Sequence, residues 1–224
     1  MPDLRAERLH VFLDEAQLAG NLASISLDRK AHLIRKKQDI YLEGDEAIRL
    51  YFVQSGRVKT VKTTDGGKEL IVGLYGLGEF FGYLPLLQHT PHRDSAIAVD
   101  ESELLYILQD DFMALLLRNP EVGQQFVRLL AGQVIGQAEQ LLALAYSSIR
   151  RRVADTLVQL HEQAKATSAD AAIQLTRDDM AALVGTASES LSRTLTEFKQ
   201  AGLIALTPNT IRVLEPEKLR RAHW

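Results

Sequence analysis

The chain has 224 residues, 46% of them hydrophobic and 25% charged, with a formal net charge of −3. That length supports a sizeable core in two domains, and no run approaches the ~20 uninterrupted apolar residues of a membrane span. The absence of cysteine excludes disulfides, thiolate zinc sites and cysteine-ligated iron–sulfur clusters within this chain.

Residues 3–24 are spaced for an amphipathic helix, with Leu4, Leu9, Phe12, Leu13, Ala16, Leu18 and Leu22 on one side and charges between them. Its expected role is to cover the domain that follows. The opening segment lacks a secretory pattern. From residue 25 to 108 the period changes to short β-prone runs separated by glycine turns. Residues 39–42, 50–53, 58–63 and 69–75 are such runs, and Asp65-Gly66 between the last two is a strong hairpin signal. Glu79-Phe80-Phe81-Gly82 follows, then a loop, then runs at 95–99 and 103–108. Many short strands at this spacing predict a β-sandwich or jelly roll.

A helix is expected from Asp110 to Arg118, broken and restarted by Asn119-Pro120. The next helix, 121–145, is long. Val127, Leu130, Val134, Gln137, Leu141 and Leu144 step by three and four, the rule for a two-stranded coiled coil, while Phe126 and Leu129 widen the stripe toward the β domain. Two readings stay open: a core helix of one chain, or the seam of a dimer. Residues 146–152 form a hinge, in which Arg150, Arg151 and Arg152 either touch phosphates or form a solvated face. A helix then runs to about Ala164, followed by a polar loop over 165–172.

Residues 175–195 predict two short helices with a tight turn. Thr176 is an N-cap, and Asp178 and Asp179 suit the first turn. Met180, Leu183 and Val184 make an apolar face, Gly185 can take the positive φ that ends the helix, and Thr186 or Ser188 can cap the next. Leu191 and Leu195 form an inward edge. Ser188, Glu189, Ser192 and Arg193 form an outward one, with Glu189 and Arg193 one turn apart. Residues 203–206 and 210–214, joined by Thr207-Pro208-Asn209, read as a hairpin wing. This is the pattern of a winged helix-turn-helix whose second helix enters a DNA major groove. An arginine can donate twice to guanine O6 and N7, and a carboxylate can accept from cytosine N4. From these residues alone, an ordinary exposed i,i+4 ion pair is the competing reading. The charge split favours DNA: residues 149–224 hold 11 basic and 9 acidic side chains, against 15 and 20 in residues 1–148.

The order of these parts, with YFVQSGRVK, GEFFGYL and LVGTASESLSRTLTEFKQAGLI, resembles the CRP/FNR family of bacterial transcription regulators. The resemblance implies an α+β chain: the N-terminal helix (1–24), a cyclic-nucleotide-binding-like β-roll (25–118), a dimerisation helix (119–146) and a C-terminal winged helix-turn-helix (147–224). It implies a homodimer on double-stranded DNA with palindromic TTGA-type half-sites, in the cytoplasm, with RNA polymerase as a further partner and no membrane. Glu189, Ser192 and Arg193 match the FNR-like E-x-x-S-R, and the DNA-contacting set becomes Arg177, Thr186, Ser188, Glu189, Ser192 and Arg193. The effector pocket departs from the family pattern. Gly82 falls on the cassette glycine, Tyr83 replaces the ribose-binding glutamate, and Asp94 stands between Arg93 and Ser95, where a carboxylate repels phosphate. A residual pocket would comprise Gly82, Tyr83, Arg93 and Ser95, but a scaffold without cofactor is the expectation. A cyclic-nucleotide module acting through protein contacts is the alternative. Two segments, LYFVQSGRVKTVKTTDGGKEL and ALAYSSIRRRVADTL, also resemble a branch in which a receiver domain precedes the CRP-like part, although no receiver pattern stands before the roll. The histidines show no metal spacing, and no nucleophile–base pair or phosphate loop appears, so neither haem, other metal nor enzymatic activity is expected.

Overall fold

A computed structural model describes residues 28–167, 172–207 and 210–222. The expected helix over 3–24 lies outside the described residues, as do 168–171 of the expected polar loop and Pro208-Asn209 of the wing turn. The chain divides into two compact units, the first ending at Ile135 and the second beginning at Gly136.

The first unit contains β1 (Asp28–Ile34), β2 (Asp39–Tyr41), β3 (Arg49–Ser55), β4 (Val58–Thr63), β5 (Glu69–Tyr75), β6 (Phe80–Phe81), β7 (Ser95–Ala98) and β8 (Ser102–Leu108). They form two four-stranded antiparallel sheets, in the orders β1-β8-β3-β6 and β2-β7-β4-β5. The Asp65-Gly66 hairpin is in place: Thr63 pairs with Glu69, and the turn closes with Thr64 N–H on the Lys68 carbonyl at 2.9 Å. Two elements escape the periodicity reading. Strand β1 pairs with β8; among its residues 31–34, Ile34 is buried and Leu33 exposed, a short alternation. The stretch expected as a loop after Gly82 is instead helix α1 (Tyr83–Gln88), which buries Tyr83 and Leu86 one turn apart.

Helix α2 (Gln109–Arg118) follows, with Asp110 and Asp111 in its first turn, and α3 (Pro120–Tyr146) restarts after Asn119 with proline at the first helical position. Within this unit, Tyr83, Leu86, Phe112, Leu115, Val122 and Phe126 share one buried cluster, with Leu129 packed against it. A second cluster fills the space between the sheets: Tyr41, Tyr51, Val53, Val58, Phe81, Ala96, Ala98 and Leu104.

The second unit holds the end of α3, then α4 (Ile149–Thr167), α5 (Arg177–Val184), α6 (Ser188–Gln200), β9 (Ile204–Leu206), β10 (Ile211–Val213) and α7 (Pro216–Arg221). Helix α4 continues past Ala164 into the stretch expected as loop. Strands β9 and β10 pair antiparallel, and Ile173 bridges to Ile211 from the other side. Val153, Leu157, Met180, Leu191, Leu195, Phe198 and Ile204 form the core of this unit.

Candidate nucleic-acid interface

Helix α5 begins as its sequence dictates. The Thr176 hydroxyl oxygen accepts the Asp179 N–H at 3.0 Å, and the hydroxyl donates to Asp179 Oδ2 at 2.7 Å. The first bond satisfies one of the donors that a helix start leaves orphaned. The inward face is Met180, Ala181 and Val184; Leu183 is half-buried rather than part of the core. Gly185 ends the helix at φ 72°, in the left-handed region that glycine enters without strain, and its N–H returns to the Ala181 carbonyl.

The next helix starts differently from expectation. Neither Thr186 nor Ser188 caps it: Ala187 takes the extended cap position, with no side-chain bond. Ser188 is already inside the helix, and its hydroxyl donates to Asp178 Oδ1 at 2.8 Å. Along α6, Leu191, Thr194, Leu195 and Phe198 are buried. The opposite edge presents Glu189, Ser192 and Arg193 to solvent. Arg193 Nη2 lies 3.3 Å from Glu189 Oε1, with the side chains 73% and 86% exposed. An ion pair so exposed contributes little to folding, which leaves both groups available to a partner. Arg177 and Thr186, half-exposed, flank this ridge in sequence on α5 and in the turn.

Each arginine of the triplet has partners within the protein. Arg150 pairs with Glu197 of α6 at 2.7 Å. Arg151 binds Asp155 at 2.9 Å and the Arg220 carbonyl at 3.0 Å. Arg152 donates to the carbonyls of Ser147, Val184 and Gly185. Periodicity marks these residues as basic and no more; their acceptors are backbone carbonyls and side chains brought close only by the fold.

In the first unit, the expected effector residues have separate surroundings. Gly82 opens α1 at φ +79°, and a Cβ there would stand 2.9 Å from Tyr51 Cδ2 and 3.6 Å from His92 Cε1. Tyr83, expected beside it in a pocket, is buried and meets Phe126 edge-on at 5.5 Å, because α1 turns it into the helical cluster. Arg93 is exposed, and Ser95 Oγ accepts the Glu43 N–H at 2.9 Å. Asp94 is the residue that turns toward the interior: it accepts from the Tyr41 hydroxyl at 3.2 Å, and burial raises its carboxyl above the ordinary carboxylate value. Between the sheets the rings of Tyr41, Tyr51, Tyr75 and Phe81 lie against one another, Tyr51 on Phe81 at 5.0 Å and Tyr75 on Phe81 at 5.4 Å. The Tyr41 ring also stacks on buried His92 at 3.6 Å. Burial pushes the Tyr51 phenol up to about 12 and the Tyr41 phenol higher still, so both are neutral hydrogen-bonding groups. On this side of the roll the ring contacts and the Asp94 carboxyl lie inward, while Arg93 is exposed. Among the described residues no histidine and carboxylate cluster is arranged to hold a metal ion, and no helix is long and apolar enough to cross a membrane.

Residues 32–119 match the cyclic nucleotide-binding domain family, and residues 151–222 match the Crp-like helix-turn-helix domain family. The cyclic AMP receptor protein of Thermus thermophilus is 35% identical over 176 residues, 79% of this chain and 80% of that protein. The transcriptional activator protein Anr of Pseudomonas protegens is 26% identical over 194 residues, 85% of this chain and 79% of that one. In fold, FixK2 from Bradyrhizobium japonicum aligns with a TM-score of 0.77 at 21% identity, covering 85% of this chain and 95% of its own. A β-sandwich followed by a helix-turn-helix and wing, matched by both domain families and by a relative over most of both chains, places this chain in the CRP/FNR family of DNA-binding transcription regulators.

Proposed function

We propose that the protein acts as a homodimer on a palindromic DNA site with TTGA-type half-sites, reading bases through α6. Arg193 donates to guanine, Glu189 accepts from the opposing cytosine, and Ser192 lies beside them. Arg177 and Thr186 contact the sugar–phosphate backbone and set register. The single observation that carries this reading is the split character of α6: Leu191 and Leu195 are 0% and 1% exposed, while Glu189, Ser192 and Arg193 lie open on the other side. Dimerisation through α3 is supported by its uncovered apolar stripe, where Val127, Val134 and Leu141 are 63%, 66% and 67% exposed. Twofold pairing through such a stripe matches twofold operator symmetry.

The β-roll in this reading is a scaffold of residues 25–118, with 119–146 as the dimer helix and 147–224 as the DNA-binding domain. One relative is named for cyclic AMP. Here Asp94, the packed rings and the outward Arg93 favour a roll that works without nucleotide. The cytoplasm as compartment and RNA polymerase as further partner belong to the same reading. Selection of bound duplexes from a random pool, with and without cyclic AMP, tests it. The expected result is one twofold-symmetric TTGA-type site in both arms. An asymmetric site, no enrichment, or enrichment that needs the nucleotide would count against it.

A further inference from the structure

The guanidinium of Arg152 joins the link after α3 to the turn of the helix-turn-helix. Its Nη1 donates to the Ser147 carbonyl at 3.2 Å, its Nε to Val184 at 3.2 Å and its Nη2 to Gly185 at 3.1 Å. Ser147 lies in the link between α3 and α4, and its own N–H still bonds back to Ala143 of α3. Val184 and Gly185 are the last helical residue and the cap of α5. Their carbonyls are among those a helix C-terminus leaves without intrahelical partners, at the negative end of the dipole, where a cation is favoured. The N–H groups of Gly185 and Thr186 both return to the Ala181 carbonyl. The turn therefore has its donors held by α5 and two of its acceptors held by Arg152. A planar fork can satisfy three carbonyls at once; a lysine ammonium on a flexible stem lacks that fixed geometry.

We propose that Arg152 is a positioning residue for DNA recognition: it ties the Ser147 link to the α5–α6 turn and so sets the angle at which Glu189 and Arg193 meet the bases, without touching a phosphate itself. The proposal rests on the reading of α6 as the base-contacting helix. It assigns an internal task to a residue whose sequence context looks like phosphate binding. Arg150, two residues earlier on α4, makes a separate tie from α4 to α6 through its pair with Glu197.

The test uses the full chain and a duplex recovered from the pool selection. In Arg152→Lys the charge remains and the fork is lost; affinity is expected to fall about tenfold. The slope of log affinity against log salt is expected to stay at the wild-type value, since no phosphate contact is removed. In an Arg193→Ala background the same change is expected to cost less than about twofold, because the clamp acts through the base reader. A lysine variant that binds like wild type, or an Arg152→Ala variant whose salt slope drops by about one, would overturn the proposal. A second measurement needs no variant: in the wild-type protein the Arg152 Nε–H should be protected from exchange and keep its NMR shift when duplex is added. A large shift on DNA addition would overturn it too. Wild-type protein that binds no duplex, with the Nε–H still protected, would sink the reading of α6 and the positioning role with it, whereas tight wild-type binding with an indifferent lysine variant would sink the positioning role alone.

Discussion

The Ser188 hydroxyl reaches across the α5–α6 turn to Asp178 Oδ1 at 2.8 Å. The donor sits in the first turn of one helix and the acceptor in the first turn of the other. That bond gives Ser188 a role in holding the two helices together, and in the proposed reading base contact falls to Glu189, Ser192 and Arg193. Ser188→Ala is expected to lower the melting stability of the second unit by about 1 kcal/mol or less, a single exposed hydrogen bond, and to leave base preference unchanged. Calorimetry and a repeated pool selection check both parts. A preference lost at one base pair would return Ser188 to the readers.

Arg193→Ala is expected to weaken specific binding by roughly 1–3 kcal/mol and to relax discrimination at one base pair. Folding stability should hardly change, since the pair it forms with Glu189 is 73% and 86% exposed. Binding titrations against single-base variants of the site measure the first effect, and thermal melts the second. Equal losses on all sequences would make Arg193 a backbone contact.

His92 gives the first unit an acid-sensitive term. It is 3% exposed, and its Nδ1 has no hydrogen-bond partner. Burial holds its pKa below the ordinary 6.5, against an upward pull from Asp45. A histidine kept neutral by the fold contributes stability above pH 6.5, and that stability is lost as pH falls through 6.5 toward the lower folded value. Asp94 runs the other way: burial raises its carboxyl, so its contribution is full below 3.8 and lost as pH rises through the folded value. The His92 term lowers the melting temperature between about pH 7.5 and about pH 5.5, against the opposing Asp94 term. In His92→Phe, which keeps a ring against Tyr41 and removes the proton site, that drop should vanish. The same pH slope in both proteins would clear His92.

Val134→Glu combined with Leu141→Glu places carboxylates on the uncovered stripe of α3. The isolated fold should tolerate them, because both positions already face solvent. Sedimentation is expected to show the monomer mass where the wild type sedimentes as a dimer, and affinity for a palindromic site should fall at least about tenfold, since one half-site then binds without its twin. Unchanged mass would place the dimer seam elsewhere.

Much of the DNA-binding unit was legible because its signals are local. Thr176, the acidic first turn, Gly185 and the apolar spacing of α6 each act within one turn of helix. The β4–β5 hairpin was legible for the same reason, through Asp65-Gly66. What was not legible depends on partners far along the chain. The carbonyls that Arg152 holds, the Asp178 that claims Ser188, and the Phe126 that draws in Tyr83 are brought near by tertiary packing. Helix α1 was missed because it is short and lies between left-handed residues at Gly82 and His89, so no long periodic pattern announces it. The ring stack inside the roll joins residues from separate strands, so no local pattern announces it.

That ring stack has an engineering consequence. Phe81 is 0% exposed and touches Tyr41, Tyr51 and Tyr75. Trimming it to alanine would hollow out a dry, benzene-sized chamber of the kind that takes up small aromatic guests. Dosing with such a guest should restore the lost rigidity, giving a variant whose grip on an operator follows the concentration of an additive.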